Sequence, residues 1–210
     1  SKAPLQEILS TPQIAYLSTV KPVDIELSPF EECLKDKRKQ AINFKLVEEE
    51  SNKYQSTATI GQRFGKEMVI MNAPYPLLTT EELDAIYDLP YTRKIHPRYK
   101  GKTIPAYDMI KHSVTMHRGC FGGCAFCTIS AHQGKFIVSR SAESILKEIE
   151  KISEEESFKG YISDLGGPSA NMYRLGGKDI EICKKCKRPT CLHPKICPNL
   201  NIDHSEVLKL

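Results

Sequence analysis

The sequence lacks any apolar run that approaches the roughly 18 residues needed to cross a membrane. Its first residues, Ser1 to Pro4, lack the apolar core of a secretion signal. No internal repeat and no low-complexity segment is visible. The 210 residues, 40% hydrophobic and 27% charged, suffice for one or two folded domains. These features predict a cytoplasmic protein with no membrane partner.

Aromatic residues are absent from the last part of the chain. Residues 174–210 contain no Phe, Tyr or Trp, although the stretch 174–195 carries seven Lys or Arg against two acidic residues, an excess of +5. Proteins that bind single-stranded nucleic acid usually stack bases on aromatic side chains in addition to binding phosphate. The absence of aromatic residues argues against nucleic-acid binding as the main function. A zinc-containing nucleic-acid-binding module is therefore only the alternative to the function inferred below.

The eight cysteines also lack the secreted context in which disulfide frameworks occur. They fall into a group of three, a group of four and Cys33 alone. Because a reducing cytoplasm keeps thiols reduced, grouped cysteines there favour metal binding over disulfides. Cys33 lies on the apolar side of a predicted helix and is interpreted as a core residue.

The first group has the spacing C-x3-C-x2-C, at Cys120, Cys124 and Cys127. Three thiolates can hold one metal cluster, but they leave a four-iron cluster one ligand short, whereas an electron-carrying cluster normally has four cysteine ligands. The spacing therefore indicates a cluster that binds and reacts with a further molecule. A zinc loop is the alternative, although zinc sites usually have a complete tetrahedral set. Three glycines let the backbone pass close to an inorganic core: Gly119, Gly122 and Gly123.

The residues around this motif carry a family resemblance. Phe126 precedes the last cysteine, so the motif reads C-x3-C-x-aromatic-C after a predicted strand, and it resembles the signature of the radical S-adenosylmethionine superfamily. The longer runs 104–107, 118–124 and 164–168 resemble the YgiQ family within that superfamily. The resemblance spans most of the chain and is strongest from about residue 66 to residue 200.

The resemblance implies a reaction and its cofactors. Cys120, Cys124 and Cys127 would bind a [4Fe–4S] cluster whose fourth iron takes the amino and carboxylate groups of S-adenosylmethionine. One electron, from a donor such as flavodoxin or ferredoxin, would cleave S-adenosylmethionine to a 5′-deoxyadenosyl radical, which removes a hydrogen atom from substrate. The cofactor carries the hard chemistry while the protein fixes geometry. The substrate is not identified by the sequence, and a tRNA or another macromolecule is among the candidates.

The resemblance also implies cofactor contacts. Phe126 would lie near the adenine, and the backbone at Gly166 and Gly167 would contact the methionine amino group. Many family members have Gly-Gly-Glu at this position, and Pro168 replaces the Glu here. The side-chain part of that contact is therefore not predicted. The alternative for the two glycines is a simple strand-to-loop turn.

Charged and titratable residues flank the first cysteine group. Arg118 could offset the negative charge of a cluster, or it could be an exposed structural arginine. His117 and His132 could ligate metal or donate a hydrogen bond to a sulfur. For both histidines the favoured interpretation is a supporting or surface position.

The second group has the spacing C-x2-C-x4-C-x5-C with Pro198 directly after it. The trailing Cys-Pro is shared with ferredoxin-like runs, and the spacing is also close to that of a zinc knuckle. Zinc and a second iron–sulfur cluster both fit, and either complex with four thiolates carries a charge of about −2 that the local basic excess would compensate. The ligands would be Cys183, Cys186, Cys191 and Cys197.

The predicted fold class is α/β. A strand over 112–117, the cysteine loop, a helix capped by Ser141 and a strand over 161–164 form a βαβ unit, which builds parallel sheets with functional groups at the carboxyl ends of the strands. The resemblance implies the first βα units of a partial (β/α)6 barrel. The 93 residues after His117 leave room for roughly two such units, so the barrel is expected to be truncated. Further strands are predicted over 14–20 and 67–72, and helices over 28–50 and 79–87.

Four regions are predicted along the chain. They are an N-terminal α/β region preceding the radical domain (1–110), the start of the barrel (111–175), a Cys-rich metal-binding insertion (176–200) and the start of a helix (201–210). Asp203 and Glu206 have the spacing of a capping box for that helix. The sequence has no initiator Met and stops inside the predicted helix, so we expect a fragment cut at both ends, which need not be active alone.

Overall fold

The computed structural model describes residues 4–19, 22–168 and 170–210. Both helices and strands occur along these residues, which confirms the predicted mixed α/β class. The first three residues of the chain and Val20, the predicted end of the first strand, lie outside the described residues. Within the described ranges, no helix combines the length and the apolar character needed to cross a bilayer.

The chain divides into two units. Unit 1 contains the described residues up to Leu77 and the segment 180–189, and unit 2 contains residues 78–179 and 190–210. The elements of unit 1 are α1 (Leu5–Ser10), β1 (Ala15–Ser18), β2 (Ile25–Leu27), α2 (Phe30–Lys35), α3 (Lys37–Ser51), β3 (Ile60–Phe64), β4 (Glu67–Met71) and α8 (Ile180–Lys184). The elements of unit 2 are α4 (Thr80–Tyr87), a 3₁₀ turn (Pro97–Tyr99), α5 (Pro105–Ile110), β5 (Ser113–Thr115), β6 (His117–Arg118), α6 (Ile129–Gln133), β7 (Val138–Ser139), α7 (Ala142–Ser153), β8 (Asp164–Gly166), β9 (Gly176–Gly177), β10 (Leu200–Asn201) and a second 3₁₀ turn (Val207–Lys209).

Unit 1 is built on a four-stranded sheet with the strand order β1-β4-β3-β2. Strand β4 pairs antiparallel with β1 and β3, and β2 lies parallel to β3 at the edge. Met68 and Ile70 of β4 are buried, while the alternate residues of the strand are exposed. Because successive side chains of a strand point to opposite faces, one face of this predicted strand packs inward and the other does not.

The single helix predicted over 28–50 is wrong, because the structure has two helices that meet at Asp36. This residue has extended backbone angles (φ −130°, ψ 102°), and its carboxylate accepts a hydrogen bond from the backbone N–H of Arg38. It therefore caps α3 in the usual manner of an N-terminal aspartate. Ser28 does not cap α2, because its backbone N–H and carbonyl instead bond to the side-chain amide of Asn43.

The βαβ unit predicted in the second half of the chain is confirmed. Strands β5 and β8 pair in parallel, with Ser113 opposite Asp164 and Thr115 opposite Gly166, and α7 lies between them in the chain. The second strand begins at Asp164, where the prediction had it end. The side chains that this unit buries together are Val114, Met116, Ile145, Ile152 and Tyr173.

Both predicted helix starts in unit 2 are confirmed. Thr79 and Glu82 form a reciprocal capping box at α4, and the hydroxyl of Ser141 accepts from the N–H of Ser144 at the start of α7. At the end of the chain the expected α-helix is replaced by the second 3₁₀ turn. Asp203 bonds there to the N–H and hydroxyl of Ser205, which is the local alternative that a short acidic side chain offers the backbone.

The sheets of unit 2 are small and open. Strands β5 and β8, β6 and β7, and β9 and β10 form three separate pairs. The described residues therefore do not show a partial (β/α)6 barrel. The reason is length, because one βαβ unit takes about 30 residues or more and unit 2 contains one such unit of parallel strands.

Two arginines hold the backbone of β5 from the side. The guanidinium of Arg140 donates to the carbonyl of Thr115 (3.0 Å), and that of Arg93 donates to the carbonyls of Lys111 (2.8 Å) and Ser113 (3.1 Å). The carboxylate of Glu148, on α7, pairs with both guanidinium groups. Glu148 is therefore the counter-charge that both cations share, and the carboxylate of Glu155 lies 3.7 Å from Arg93 as a second one.

The Arg140 side chain is 1% exposed, and its remaining contacts are satisfied inside the unit. Its guanidinium donates to the carbonyl and hydroxyl of Ser144, and its central carbon lies 4.0 Å from the centre of the Tyr87 ring. A buried cation of this kind is tolerated only when it is paired and hydrogen-bonded. Loss of the Glu148 carboxylate would therefore leave the buried Arg140 cation without its partner and destabilise unit 2.

We predict that Glu148→Gln lowers the free energy of unfolding by about 3 kcal/mol, because it leaves the buried guanidinium of Arg140 without its paired carboxylate and Arg93 with only the more distant carboxylate of Glu155. The measurement is urea unfolding followed by circular dichroism. Glu143→Gln, at an exposed position of the same helix, is the matched control and should change the value little. Equal unfolding curves for the two variants would contradict the role given to Glu148.

Candidate metal centre

The first cysteine loop leaves and re-enters a short antiparallel pair of strands. His117 of β6 lies opposite Ser139 of β7, and the N–H of Cys120 donates to the carbonyl of Gly134 (3.0 Å). Gly119 has a φ of +90°, and a Cβ at this position would lie 2.2 Å from a backbone carbonyl oxygen, that of Phe136. Only glycine fits both conditions, so the base of the loop is closed by backbone contact.

The sulfurs of the first two cysteines of the loop lie next to the same glycine, Gly122. A Cβ on Gly122 would lie 3.3 Å from the sulfur of Cys120 and 3.6 Å from that of Cys124, so both sulfurs lie around the same glycine. Cys120 is buried, Cys124 is exposed and Cys127 is half-buried. The N–H of Cys127 donates to the carbonyl of Cys124 (3.0 Å), which turns the chain between these two residues.

In the described residues, no three His, Cys, Asp or Glu side chains are gathered closely enough to hold a metal ion. No disulfide bond joins any of the eight cysteines, all of which the structure describes. Three thiols on one glycine-rich loop, two of them around a single glycine, are the donor set that an iron–sulfur cluster takes. The residues of the loop therefore fit a cluster by their chemistry.

The carboxyl end of β8 lies beside the start of this loop. The carbonyl of Gly166 accepts from the N–H of Met116 (2.7 Å), the residue between β5 and β6. A Cβ on Gly167 would lie 1.9 Å from Nε2 of His117 and 2.2 Å from its Cε1, so the imidazole lies directly against this glycine. Gly167, one of the two glycines predicted to contact a cofactor, therefore contacts His117. His117 lies three residues before the first cysteine, Cys120, in the chain.

His117 has a supporting role in the structure. Its side chain is 1% exposed, and its Nε2 accepts a hydrogen bond from the backbone N–H of Met172 (2.9 Å). Burial lowers the pKa of His117 below its usual value, because the charged ring is penalised away from water. The ring is therefore neutral, and it fixes the segment after β8 against β6.

The other predicted side chains of the loop lie on its surface. Phe126 is 92% exposed, and His132 is exposed on α6. Arg118 is exposed, and its guanidinium carbon lies 5.9 Å from the centre of the Tyr87 ring. The structure therefore brings together the first cysteine loop and the Gly166–Gly167 pair, with Phe126 directed to solvent.

The second cysteine group is divided between the two units. Cys183 and Cys186 belong to unit 1, where the N–H of Cys186 donates to the carbonyl of Cys183 (3.0 Å). Cys191 and Cys197 belong to unit 2, where the N–H of Cys197 donates to the carbonyl of Cys191 (2.8 Å). The prediction of one metal site for all four stays a prediction. In unit 2 this second pair packs against Cys120, Phe121, Met172, Leu175 and Leu200.

Two buried polar residues at the loop were not predicted from the sequence. Thr190 is 6% exposed and hydrogen-bonds to the backbone between Cys120 and Cys124. Lys135 is 2% exposed, directly after the glycine that accepts the hydrogen bond from Cys120. Neither residue belongs to a recognisable motif. Their burial depends on residues far away in the sequence, and no local periodicity predicts such burial.

Comparison with known proteins identifies relatives over nearly the whole chain. The pattern of the family described as "Radical SAM N-terminal" matches residues 1–113, more than half of the chain. UPF0313 proteins of Bacteroides thetaiotaomicron and Porphyromonas gingivalis are 62% and 56% identical to it, over 98% and 99% of its length. A UPF0313 protein of Methanocella arvoryzae is 50% identical over 89% of the chain.

The chain spans about a third of the length of these curated relatives: 34%, 33% and 31%, respectively. No solved structure matches it. The alignments therefore include nearly all of this chain, but about two thirds of each relative has no counterpart in it.

We predict that Gly167→Ala destabilises unit 2 by about 2 kcal/mol, because the new methyl group overlaps the buried ring of His117. Urea unfolding measures the loss. Gly176→Ala is the matched control, since a Cβ there meets nothing within 4 Å. The double variant Gly167→Ala with His117→Ala should lose less than the sum of the two single variants, and strict additivity would contradict the contact.

Proposed function

Because the chain belongs to the radical S-adenosylmethionine superfamily, and within it to the YgiQ-like UPF0313 family, we propose that it is part of a radical enzyme that binds a [4Fe–4S] cluster and S-adenosylmethionine. The observation that carries the proposal is the position of the Cys120–Cys127 loop. It starts directly beyond β6, a few residues after β5 and beside the carboxyl end of the parallel strand β8. Active groups of parallel α/β folds lie at this edge.

The protein's part in the reaction is to hold and orient. Cys120, Cys124 and Cys127 would bind the cluster as three thiolates and leave one iron open. When bound, the cluster and S-adenosylmethionine supply a one-electron cleavage that yields a 5′-deoxyadenosyl radical. A glycine pair at a strand end allows a ligand to approach the backbone closely, so Gly166 and Gly167 would contact the methionine part. Phe126, now exposed, would cover the adenine.

The structure supports this division of roles through His117. The neutral ring occupies the space on one side of Gly167 and accepts the N–H of Met172, so the strand end cannot approach β6 more closely. His117 thus sets the distance between the glycine pair and the first cysteine. The exposed Arg118 would offset part of the negative charge of three thiolates and a cluster.

The finer features of the family are part of the proposal. Residues 111–175 would begin a (β/α)6 barrel that is completed by the longer protein, and residues 1–110 would be the region that precedes it. Cys183, Cys186, Cys191 and Cys197 would form a second site, with zinc or an iron–sulfur cluster. A flavodoxin or ferredoxin would donate the electron in the cytoplasm, where thiols stay reduced. The substrate, a tRNA or another macromolecule among the candidates, would be bound by the rest of the protein.

We predict that anaerobic reconstitution with iron and sulfide gives a brown protein, and that Cys120→Ala, Cys124→Ala and Cys127→Ala each remove about four iron atoms per chain relative to wild type. Iron and sulfide analysis with absorption spectra makes the measurement. Cys33→Ala is the matched control, because Cys33 is buried in unit 1, where its sulfur lies 3.1 Å from the side-chain nitrogen of Asn43. A colourless wild-type protein that binds only zinc would reject the proposal and favour the zinc-containing module.

A further inference from the structure

The backbone between the first two candidate ligands is hydrogen-bonded to a part of the chain far away in sequence. The carbonyl of Phe121 accepts from the N–H of Cys191 (3.1 Å), and the carbonyl of Gly122 accepts from the hydroxyl of Thr190 (2.6 Å). Thr190 is 6% exposed, so water does not readily replace these bonds. All four residues lie in unit 2.

The orientation of the Thr190 hydroxyl is fixed by its two partners. A hydroxyl has one proton to donate, and here the short contact to Gly122 takes it. The same oxygen accepts from the N–H of Leu192 at 3.0 Å. The carbonyl of Phe121 lies farther from this oxygen, at 3.4 Å, and already binds the N–H of Cys191. A methyl group in place of the hydroxyl would leave a carbonyl and an N–H without this partner.

The segment that follows Thr190 is anchored as well. The N–H of Cys197 bonds to the carbonyl of Cys191 (2.8 Å), and the N–H of Leu200 bonds to the carbonyl of Cys197 (2.9 Å). Leu200 is buried in one apolar cluster with Cys120 and Phe121, and it starts β10, which pairs with β9. Both ends of the segment 190–200 are therefore attached around the first cysteine loop.

Such an attachment matters because the loop is intrinsically loose. Two of the three residues between Cys120 and Cys124 are glycines, which have the most backbone freedom to lose when a structure is fixed. A cluster requires sulfurs at a set separation, and the sulfurs of these two cysteines lie around Gly122. Holding the carbonyls of Phe121 and Gly122 fixes the backbone that sets that separation.

We propose that Thr190 is a positioning residue for the cluster site: its hydroxyl fixes Gly122 and thereby the relative placement of the first two thiolates. The inference rests on the proposed function, since it requires that the loop binds a cluster. Cys191 and Cys197 would then help to support the first cysteine loop, whatever metal the second cysteine group binds. Thr190 itself neither ligates nor reacts.

The test compares Thr190→Val, which keeps the shape and removes the hydroxyl, with Thr190→Ser, which keeps the hydroxyl. The 210-residue chain is reconstituted anaerobically, and the release of iron to a chelator is timed by absorption. We expect Thr190→Val to release iron about tenfold faster than wild type, because a buried carbonyl and N–H lose their partner. Thr190→Ser should restore the wild-type rate, and Thr103→Val, at an exposed threonine of the same unit, should match wild type.

The outcomes separate this inference from the proposed function. A wild-type chain that takes up no iron overturns both. A wild-type chain that binds its cluster, with the same release rate in Thr190→Val, overturns only the role of Thr190. Fast release in Thr190→Ser, equal to that of the valine variant, overturns the hydroxyl as the cause.

If the valine variant does not fold, amide hydrogen exchange in the wild-type chain decides. The N–H of Leu192 is bonded to the Thr190 hydroxyl, so its exchange reports on whether that hydroxyl is held. Cluster binding should slow this exchange about tenfold, because a fixed Gly122 in turn fixes the hydroxyl. Unchanged exchange on reconstitution overturns the inference.

Discussion

The carboxylate of Glu148 bridges two largely buried arginines, and the placement of the candidate metal centre depends on this bridge. Arg93 and Arg140 hold the carbonyls along β5, and the backbone N–H of Arg140 donates to the carbonyl of Met116 just beyond it (2.9 Å). Because the cysteine loop starts a few residues after this strand, any change in β5 would be carried to the ligands. The Glu148 carboxylate therefore allows the two guanidinium groups to bind backbone carbonyls in the interior of unit 2.

Two other segments of unit 2 reach the first cysteine loop. The loop itself is closed at its base by Gly119, the end of β8 reaches it through Gly167 and His117, and the segment from Thr190 to Leu200 holds the backbone between the first two cysteines. Each of these contacts involves a backbone group or a glycine, because these allow the closest approach of two segments of the chain. Part of the Cys-rich segment therefore packs against the first cysteine loop, which argues against a separate nucleic-acid-binding module.

Features encoded locally were predictable from the sequence. The helix start at Thr79 and the cap at Ser141 were predictable because the partner residues are close in the chain, and the βαβ unit followed from hydrophobic periodicity. The break at Asp36 was missed, because an aspartate inside a charged stretch is equally compatible with a helix interior. The contacts of Gly167 with His117 and of Thr190 with Gly122 join residues tens of positions apart, and no local pattern encodes them. The three cysteines were identified by their spacing and flanking residues, and the arrangement of the first two around Gly122 came from the fold.

The central claim is that three thiolates hold an iron cluster with one coordination position left for S-adenosylmethionine. Electron paramagnetic resonance of the reduced, reconstituted chain tests it most directly, recorded with and without S-adenosylmethionine. We expect the signal of a reduced four-iron cluster, with g values that shift when S-adenosylmethionine is added, since the added molecule would bind the open iron. A cluster signal that is identical in both spectra, or no cluster signal at all, would contradict it.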